Sequence, residues 1–348
     1  METKEFLKQM SNFPHVAGYE SALAKFVTEK FSQYSNVTED KFGNVIAHME
    51  GTNGGPKVML AAHMDEIGMM VSAVCDNGFV KFSPVGGIDK RNMLAQEVTI
   101  HGRQKVYGVI GIKPPHLTSA AERKKSVEIY DMTIDTGISS KEELEKLIRP
   151  GDIITLNQDI AELQNGKLTG KALDNTTGIA ALYCAMKHLQ YFSHKADLYF
   201  VATAQEEVGL RGAKTAAYTI KPDIAIAVDV GHGRAPGMPE HETIELGKGP
   251  AIAIGPHINR GLFSDLKKVA SKNNAKYQVE VLPQRTGTDA DAIQITEGGC
   301  ITGLLSIPLK YMHSTVEVAS LSDIENCGKL IADYIMTLNA DKKEGELC

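Results

Sequence analysis

Two adjacent carboxylates interrupt an apolar stretch in the segment FVATAQEEVGLRGA, residues 200–213. Glu206 and Glu207 follow the apolar run 198–204 after the single residue Gln205, where the chain changes abruptly from apolar to charged. Such a pair is either solvated surface charge or part of a reaction centre, because carboxylates ligate metal ions and accept protons. The ends of the other apolar runs help to decide between these two interpretations.

Several other apolar runs also lead to side chains that can ligate a metal. KVMLAA is followed by His63 and Asp65, DIAIAV by Asp229, and LLSIPLKYM by His313. KLTGKALDN brings Asp174 to the start of a predicted helix. Each residue alone has an ordinary structural explanation, such as helix capping for Asp174. Those separate explanations do not account for the fact that these candidate ligands all lie at the ends of segments belonging to one predicted sheet.

These side chains together predict a metal centre at one edge of the sheet, since ligands of open α/β sheets bind beyond the carboxyl ends of the strands. Carboxylates buried together repel one another and lose solvation unless a cation neutralises them. Two histidines and three carboxylates (Asp174, Glu207 and Asp229) suit two divalent ions about 3.5–4 Å apart. Mixed nitrogen and oxygen ligands favour zinc, cobalt or manganese. Glu206 then remains near the metals as a general base.

The fold that must position these residues is predicted to be α/β, with a mostly parallel sheet flanked by helices. Continuous apolar runs are typical of strands covered on both faces; they occupy residues 57–62, 197–204, 223–230 and 300–307. Helical patterns lie between or beside them, at residues 20–34, 175–189, 261–272 and 321–338.

Short strand-like pieces separated by glycines interrupt this pattern over residues 67–168. They predict an inserted small all-β domain that resembles a barrel. The domain prediction is therefore a discontinuous catalytic domain, 1–66 with 169–348, around the insert 67–168.

Composition narrows the classes of partner and location. The 348 residues carry a net charge of −6 and no basic cluster, which argues against nucleic acid and against anionic membrane surfaces as partners. No apolar run approaches the roughly 20 residues of a membrane span, and the N-terminus has no secretory-signal pattern. Five scattered cysteines (75, 184, 300, 327 and 348) indicate a reducing compartment, so we expect a cytoplasmic protein.

Five motifs resemble the M42 family of metallo-aminopeptidases, the group of glutamyl and tetrahedral aminopeptidases. They are AAHMDEIGMMV, KALDNTTG, AQEEVGLRGA, AVDV and PLKYMHSTVE, in that order. The resemblance extends through PVGGID, GVIGIKPPH and IDTGISS in the insert and through GTDADAI later in the chain. One departure is Lys310, where relatives often carry arginine.

The resemblance implies an enzyme that releases N-terminal amino acids from short peptides. It implies that His63, Asp174 and Asp229 hold one metal ion, and that Asp174 also bridges to a second ion. Glu207 and His313 complete the second set. Glu206 matches the proton acceptor of the family, and Asp65 matches a carboxylate that orients His63. The resemblance also implies that the inserted domain forms a homodimer and that dimers assemble into a homododecamer.

Other functions remain open from the residues alone. A deacylase or carboxypeptidase uses an equivalent two-metal site, and glycoside hydrolases also use paired carboxylates. Some relatives have carried an endoglucanase label. A serine hydrolase is disfavoured because the chain has no G-x-S-x-G motif. A metal-binding protein without catalytic activity is a further alternative, but it would give Glu206 no role. Acidic substrate preference requires a cation near the site, for which the candidates are Arg91, Arg260, Arg285 and Lys310.

Overall fold

The computed structural model describes residues 1–52, 54–121 and 124–338. It contains a large sheet flanked by helices and a separate closed barrel. The last residues of the predicted catalytic domain, 339–348 with Cys348, lie outside the described residues. No helix of the described chain is long and apolar enough to cross a membrane.

The large sheet has eleven strands among the described residues. They are β1 Asn36–Glu39, β2 Val45–Met49, β3 Lys57–His63, β10 Ala161–Leu163, β11 Lys167–Gly170, β12 Asp197–Thr203, β13 Ile224–His232, β14 Ala251–Ile254, β15 Gln278–Val281, β16 Ile301–Lys310 and β17 Glu317–Ser320. Their order is β1-β2-β12-β3-β13-β16-β17-β11-β10, and β14 joins β15 to β16.

The four central strands, β12, β3, β13 and β16, are the four predicted from continuous apolar runs, and they are mutually parallel. Antiparallel strands extend the sheet on both sides, so the sheet is mixed with a parallel centre. This arrangement confirms the predicted α/β class, and it brings the carboxyl ends of the central strands to one edge.

Helices cover both faces of the sheet. They are α1 Thr3–Met10, α2 Ser21–Phe31, α4 Leu173–Leu189, α5 Arg211–Ile220, α6 Arg260–Lys272, α7 Asp289–Ile293 and α8 Leu321–Ile335, and the short α3 Lys141–Leu144 lies in the insert. Alternate residues of β3 enter two different cores. Leu60 packs in the cluster that contains α1, α2, α4, α6 and α8, whereas Met59 packs with α5 and α7. Burial of both faces explains the continuous apolar sequence of the central strands.

The insert folds as a closed barrel in the order β4-β5-β8-β7-β6-β9. Its strands are β4 Gly68–Val74, β5 Val80–Val85, β6 Glu97–His101, β7 Lys105–Gly111, β8 Thr133–Asp135 and β9 Ile153–Leu156, around a separate apolar core. Strands β10 and β11 pair with the large sheet instead. The predicted bounds 67–168 of the insert thus include β10 and the start of β11, because glycine-rich spacing alone does not show which sheet a short strand joins.

Candidate active site

The predicted site residues converge at the carboxyl-terminal edge of the central strands. His63 ends β3, the Glu206–Glu207 doublet follows β12, and Asp229 lies near the end of β13. Asp174 comes from the first turn of α4, and His313 from the turn after β16. Parallel pairing of β12, β3, β13 and β16 is what brings these distant segments together.

His63, Asp174 and Asp229 form one group with ligating atoms close enough to share a metal ion. The Nε2 atom of His63 lies 3.2 Å from Asp174 Oδ1 and 3.7 Å from Asp229 Oδ1. All three side chains are buried. Burial lowers the pKa of His63, but the neighbouring carboxylates outweigh it and raise that pKa well above its ordinary value. Positive charge is therefore strongly stabilised at this position.

Asp174, Glu207 and His313 form a second such group. The Nε2 atom of His313 lies 3.3 Å from Asp174 Oδ2 and 3.2 Å from Glu207 Oε1. Hydrogen bonds to these two carboxylates raise the pKa of His313 to about 11. The Nδ1 atom of His313 lies 2.8 Å from the carbonyl oxygen of Gly87, which orients the ring.

Asp174 belongs to both groups and presents one carboxylate oxygen to each. Its Oδ1 faces His63, and its Oδ2 faces His313. Helix capping does not explain this residue, because Asn175 Oδ1 accepts the hydrogen bond from the Gly178 N–H in the first turn of α4. The Asp174 carboxylate is therefore available for the site.

Glu206 lies beside the first group without belonging to either group. Its Oε2 atom is 4.0 Å from His63 Nε2. Burial, followed by repulsion from nearby carboxylates such as Asp229, raises the pKa of Glu206 to about 10. The two adjacent glutamates thus have different surroundings: Glu207 faces His313, and Glu206 faces His63.

Asp65 holds the backbone of the doublet. Its Oδ1 accepts a hydrogen bond from the Glu206 N–H and its Oδ2 accepts one from the Glu207 N–H, each at 2.9 Å. The Nδ1 atom of His63 is 3.0 Å from the Asp65 carbonyl oxygen and 3.6 Å from the Asp65 carboxylate. The backbone carbonyl of Asp65 is thus the nearer partner of the ring, while its carboxylate fixes the doublet.

Glu317 is a site residue that the sequence reasoning did not single out. Its carboxylate accepts hydrogen bonds from the Asp174 N–H at 3.2 Å and from the His313 N–H at 2.8 Å. The side chain is buried. Its presence in the motif PLKYMHSTVE was the available signal, but the motif alone does not reveal a contact with the backbone of α4.

A cavity of about 610 Å³ opens onto both groups. Of the four cations considered for substrate preference, Arg285 lies in its wall. Arg91 pairs instead with Asp89, Arg260 begins α6 beside a separate cavity, and Lys310 ends β16. Arg285 is thus the cation among these that the fold places at the site.

The donor set fits divalent cations. Within the described residues, no lysine or arginine forms an ion pair with the four carboxylates Asp174, Glu206, Glu207 and Asp229. Buried carboxylates without a basic partner are costly unless a cation neutralises them. Two imidazoles with carboxylate oxygens match the ligand preferences of transition metals such as zinc.

Comparison with known proteins identifies relatives over nearly the whole chain. The family model described as M42 glutamyl aminopeptidase matches residues 43–330. The lysyl aminopeptidase of Pyrococcus furiosus is 38% identical over 94% of this chain and 94% of its own length.

Solved structures agree with this assignment. An aminopeptidase from the archaeon Desulfurococcus kamchatkensis superposes with a TM-score of 0.92 at 37% identity, covering 99% of this chain and 98% of that chain. The TET1 peptidase of Pyrococcus horikoshii, which can assemble into a tetrahedron or a large octahedral shell, superposes with a TM-score of 0.86 at 34% identity, covering 97% of this chain and 100% of that one.

Proposed function

Because this chain belongs to the M42 glutamyl aminopeptidase family, it is an aminopeptidase, and we propose that it works with two divalent metal ions held by the two groups of side chains. His63, Asp174 and Asp229 would hold one ion, and Asp174, Glu207 and His313 the other. The division of Asp174 between both groups is the single observation that carries this proposal. Zinc and cobalt are the first candidates, followed by manganese.

The bound cations would polarise the scissile carbonyl and lower the pKa of a nearby water molecule. Glu206 would accept the proton of the attacking water and deliver it to the leaving amine. Its position outside both ligand groups supports this role, since its oxygens remain free for a proton. The pKa of about 10 applies to the carboxyl without a neighbouring cation, and a dication beside it lowers that value.

Asp65 and Glu317 would position the site through backbone contacts. Asp65 holds the two peptide N–H groups of the doublet, so the side chains of Glu206 and Glu207 diverge from a fixed backbone. Glu317 links the start of α4 to the turn that carries His313. Both roles organise ligands without direct contact with the substrate.

We further propose short peptides with a free N-terminus as substrates, in a cytoplasmic assembly of homodimers. The barrel would provide the dimer contact, and dimers would build a homododecamer; the shell described for the related TET1 peptidase supports a closed assembly. The unpaired Cys75, Cys184, Cys300 and Cys327 are consistent with a reducing compartment.

A chelation experiment with free and N-acetylated substrates tests the proposed chemistry. The chelator-treated enzyme should lose hydrolysis of aminoacyl nitroanilides, and zinc, cobalt or manganese should restore it at about two ions per subunit. N-acetylated nitroanilides should remain intact. Cleavage of acetylated substrates would instead indicate a deacylase or carboxypeptidase, and glucan hydrolysis by the metal-free protein would indicate a glycosidase.

A further inference from the structure

The cavity at the active site contains a carboxylate that the proposed chemistry does not use. Glu280, on β15, lines this cavity together with the candidate metal ligands. Its Oε2 accepts a hydrogen bond of 2.5 Å from the Ser306 hydroxyl. Within the described part of the chain, no lysine or arginine forms an ion pair with Glu280. Burial raises the pKa of its carboxyl above the ordinary value.

Strand pairing places this carboxylate near the reaction centre. Ser306 is the register partner of Asp229 in the parallel pair of β13 and β16. Neighbouring strands lie about 4.8 Å apart, and residues in register project to the same face of a sheet. Glu280 therefore contacts the side chain directly beside a candidate metal ligand.

The backbone of β13 also lies close to the second carboxylate oxygen of Glu280. A Cβ atom at Gly231 would lie 3.0 Å from Glu280 Oε1. The absence of a side chain at Gly231 therefore provides space for the Glu280 carboxylate. Gly231 lies two positions after Asp229 on the same strand. One oxygen of Glu280 therefore accepts a hydrogen bond from β16, and the other lies against β13, the strand that carries Asp229.

Apolar side chains also line the cavity that Glu280 lines. Leu210, Val230, Leu282, Leu304 and Met312 line the same cavity. An occupant that fits these walls has an apolar stem and a cationic end, because the stem removes apolar surface from water and the cation neutralises the carboxylate. Lysine has this form, with an ammonium group on a flexible four-carbon stem.

We propose that Glu280 is a specificity-determining residue that receives the side chain of an N-terminal lysine. This inference rests on the proposed aminopeptidase site, since the metal centre must hold the scissile bond while the side chain enters the cavity. Arginine, which is also cationic, belongs to the same substrate class. An acidic N-terminal side chain would meet the carboxylate of Glu280 instead.

Arg285 does not provide an equivalent site for acidic substrates. Its side chain is 78% exposed, and its Nε lies 3.7 Å from the buried Asp291 carboxylate. Solvent screens this exposed charge more strongly than the carboxylate of Glu280, which is half-buried in the cavity wall. The half-buried carboxylate of Glu280 should therefore dominate the choice of substrate.

Lysine and norleucine nitroanilides test the proposal, because they share a stem and differ by the ammonium group. For the metal-loaded enzyme, kcat/KM for lysine should exceed that for norleucine by about ten- to a hundredfold, the range for a hydrogen bond to a charged group. Glu280→Gln should remove this preference and change norleucine hydrolysis by less than about threefold.

Two further variants serve as controls. Ser306→Ala keeps the charge of Glu280 and should retain the preference for lysine. Arg285→Gln should leave the lysine-to-norleucine ratio within about threefold, because its charge is exposed. Norleucine hydrolysis as fast as lysine hydrolysis by the wild-type enzyme would overturn the lysine site, whether or not Glu280→Gln folds. A lack of hydrolysis of every free-amine substrate would contradict the proposed function itself.

Discussion

The adjacent glutamates provide the most direct test of the proposed mechanism, because one isosteric change at each position should have a different consequence. Glu206→Gln removes the proposed base, and Glu207→Gln removes a candidate metal ligand. Both changes keep the backbone N–H groups that donate to Asp65. The two variants are therefore matched controls for each other.

For Glu206→Gln, we expect kcat to fall by about 10²–10⁴-fold, which is the usual contribution of a positioned general base. This loss corresponds to about 2.7–5.4 kcal/mol of activation free energy. Metal content should remain that of the wild type, because Glu206 lies outside both ligand groups. The metal-free variant should be at least as stable as the wild type at pH 7, since burial disfavours the Glu206 carboxylate and raises its pKa.

For Glu207→Gln, we expect loss of metal affinity as well as loss of activity. The second group then keeps only Asp174 and His313. Mutation of a residue that only hydrogen-bonds to a metal ligand typically lowers metal affinity by about 10–100-fold. Loss of the ligand itself should lower metal affinity by at least this factor. Excess metal should restore part of the activity of Glu207→Gln but none of that of Glu206→Gln.

The assay combines metal analysis after dialysis with kcat measured over a range of metal concentrations. Full activity of Glu206→Gln would refute its role as the base. Equal loss of metal from both variants would refute the division of the doublet into a base and a ligand.

Two further predictions concern stability near the site and are measured by urea unfolding. Lys171→Met should destabilise the protein by about 3–5 kcal/mol, because it leaves Glu66 buried without the ammonium at 2.6 Å, and the double variant with Glu66→Gln should recover most of this loss. Burial raises the pKa of Glu66, but the charges of His15 and Lys171 outweigh it and hold that pKa below the ordinary value. The stabilisation should therefore be present above about pH 4.5 and decline as the pH falls further. Gly178→Ala should destabilise by about 1–3 kcal/mol, although alanine usually favours a helix, because its Cβ would lie 2.4 Å from Asn175 Oδ1; an increase in stability would contradict this reasoning.

The centre of the fold was predictable because burial on both faces gives a strand a continuous apolar sequence. The prediction 57–62 corresponds to β3, Lys57–His63, and 223–230 corresponds to β13, Ile224–His232. The outer strands lack that signal. All residues of β10 are exposed, as are most residues of β1, so nothing in their sequence indicates membership of the large sheet.

The candidate ligands were predictable for a related reason. A parallel sheet brings the carboxyl ends of its strands together, so side chains that follow apolar runs become neighbours without further information. Glu280 had no such signal, because it lies in the alternating segment QVEV, which is typical of a half-exposed strand. Only the pairing of β14 with β15 and β16 brings this segment to the cavity.

The backbone contacts of Asp65 and Glu317 explain how a site assembled from distant segments keeps its geometry. Asp65 is 141 positions from Glu206 and Glu317 is 143 positions from Asp174, so each carboxylate joins segments that local structure does not connect. Both are buried and accept hydrogen bonds from peptide N–H groups on ligand-bearing segments. Peptide N–H groups are fixed by the backbone, whereas side chains can change rotamer, so these contacts order the ligand segments themselves. The different roles proposed for Glu206 and Glu207 therefore depend on Asp65 as much as on their own carboxylates.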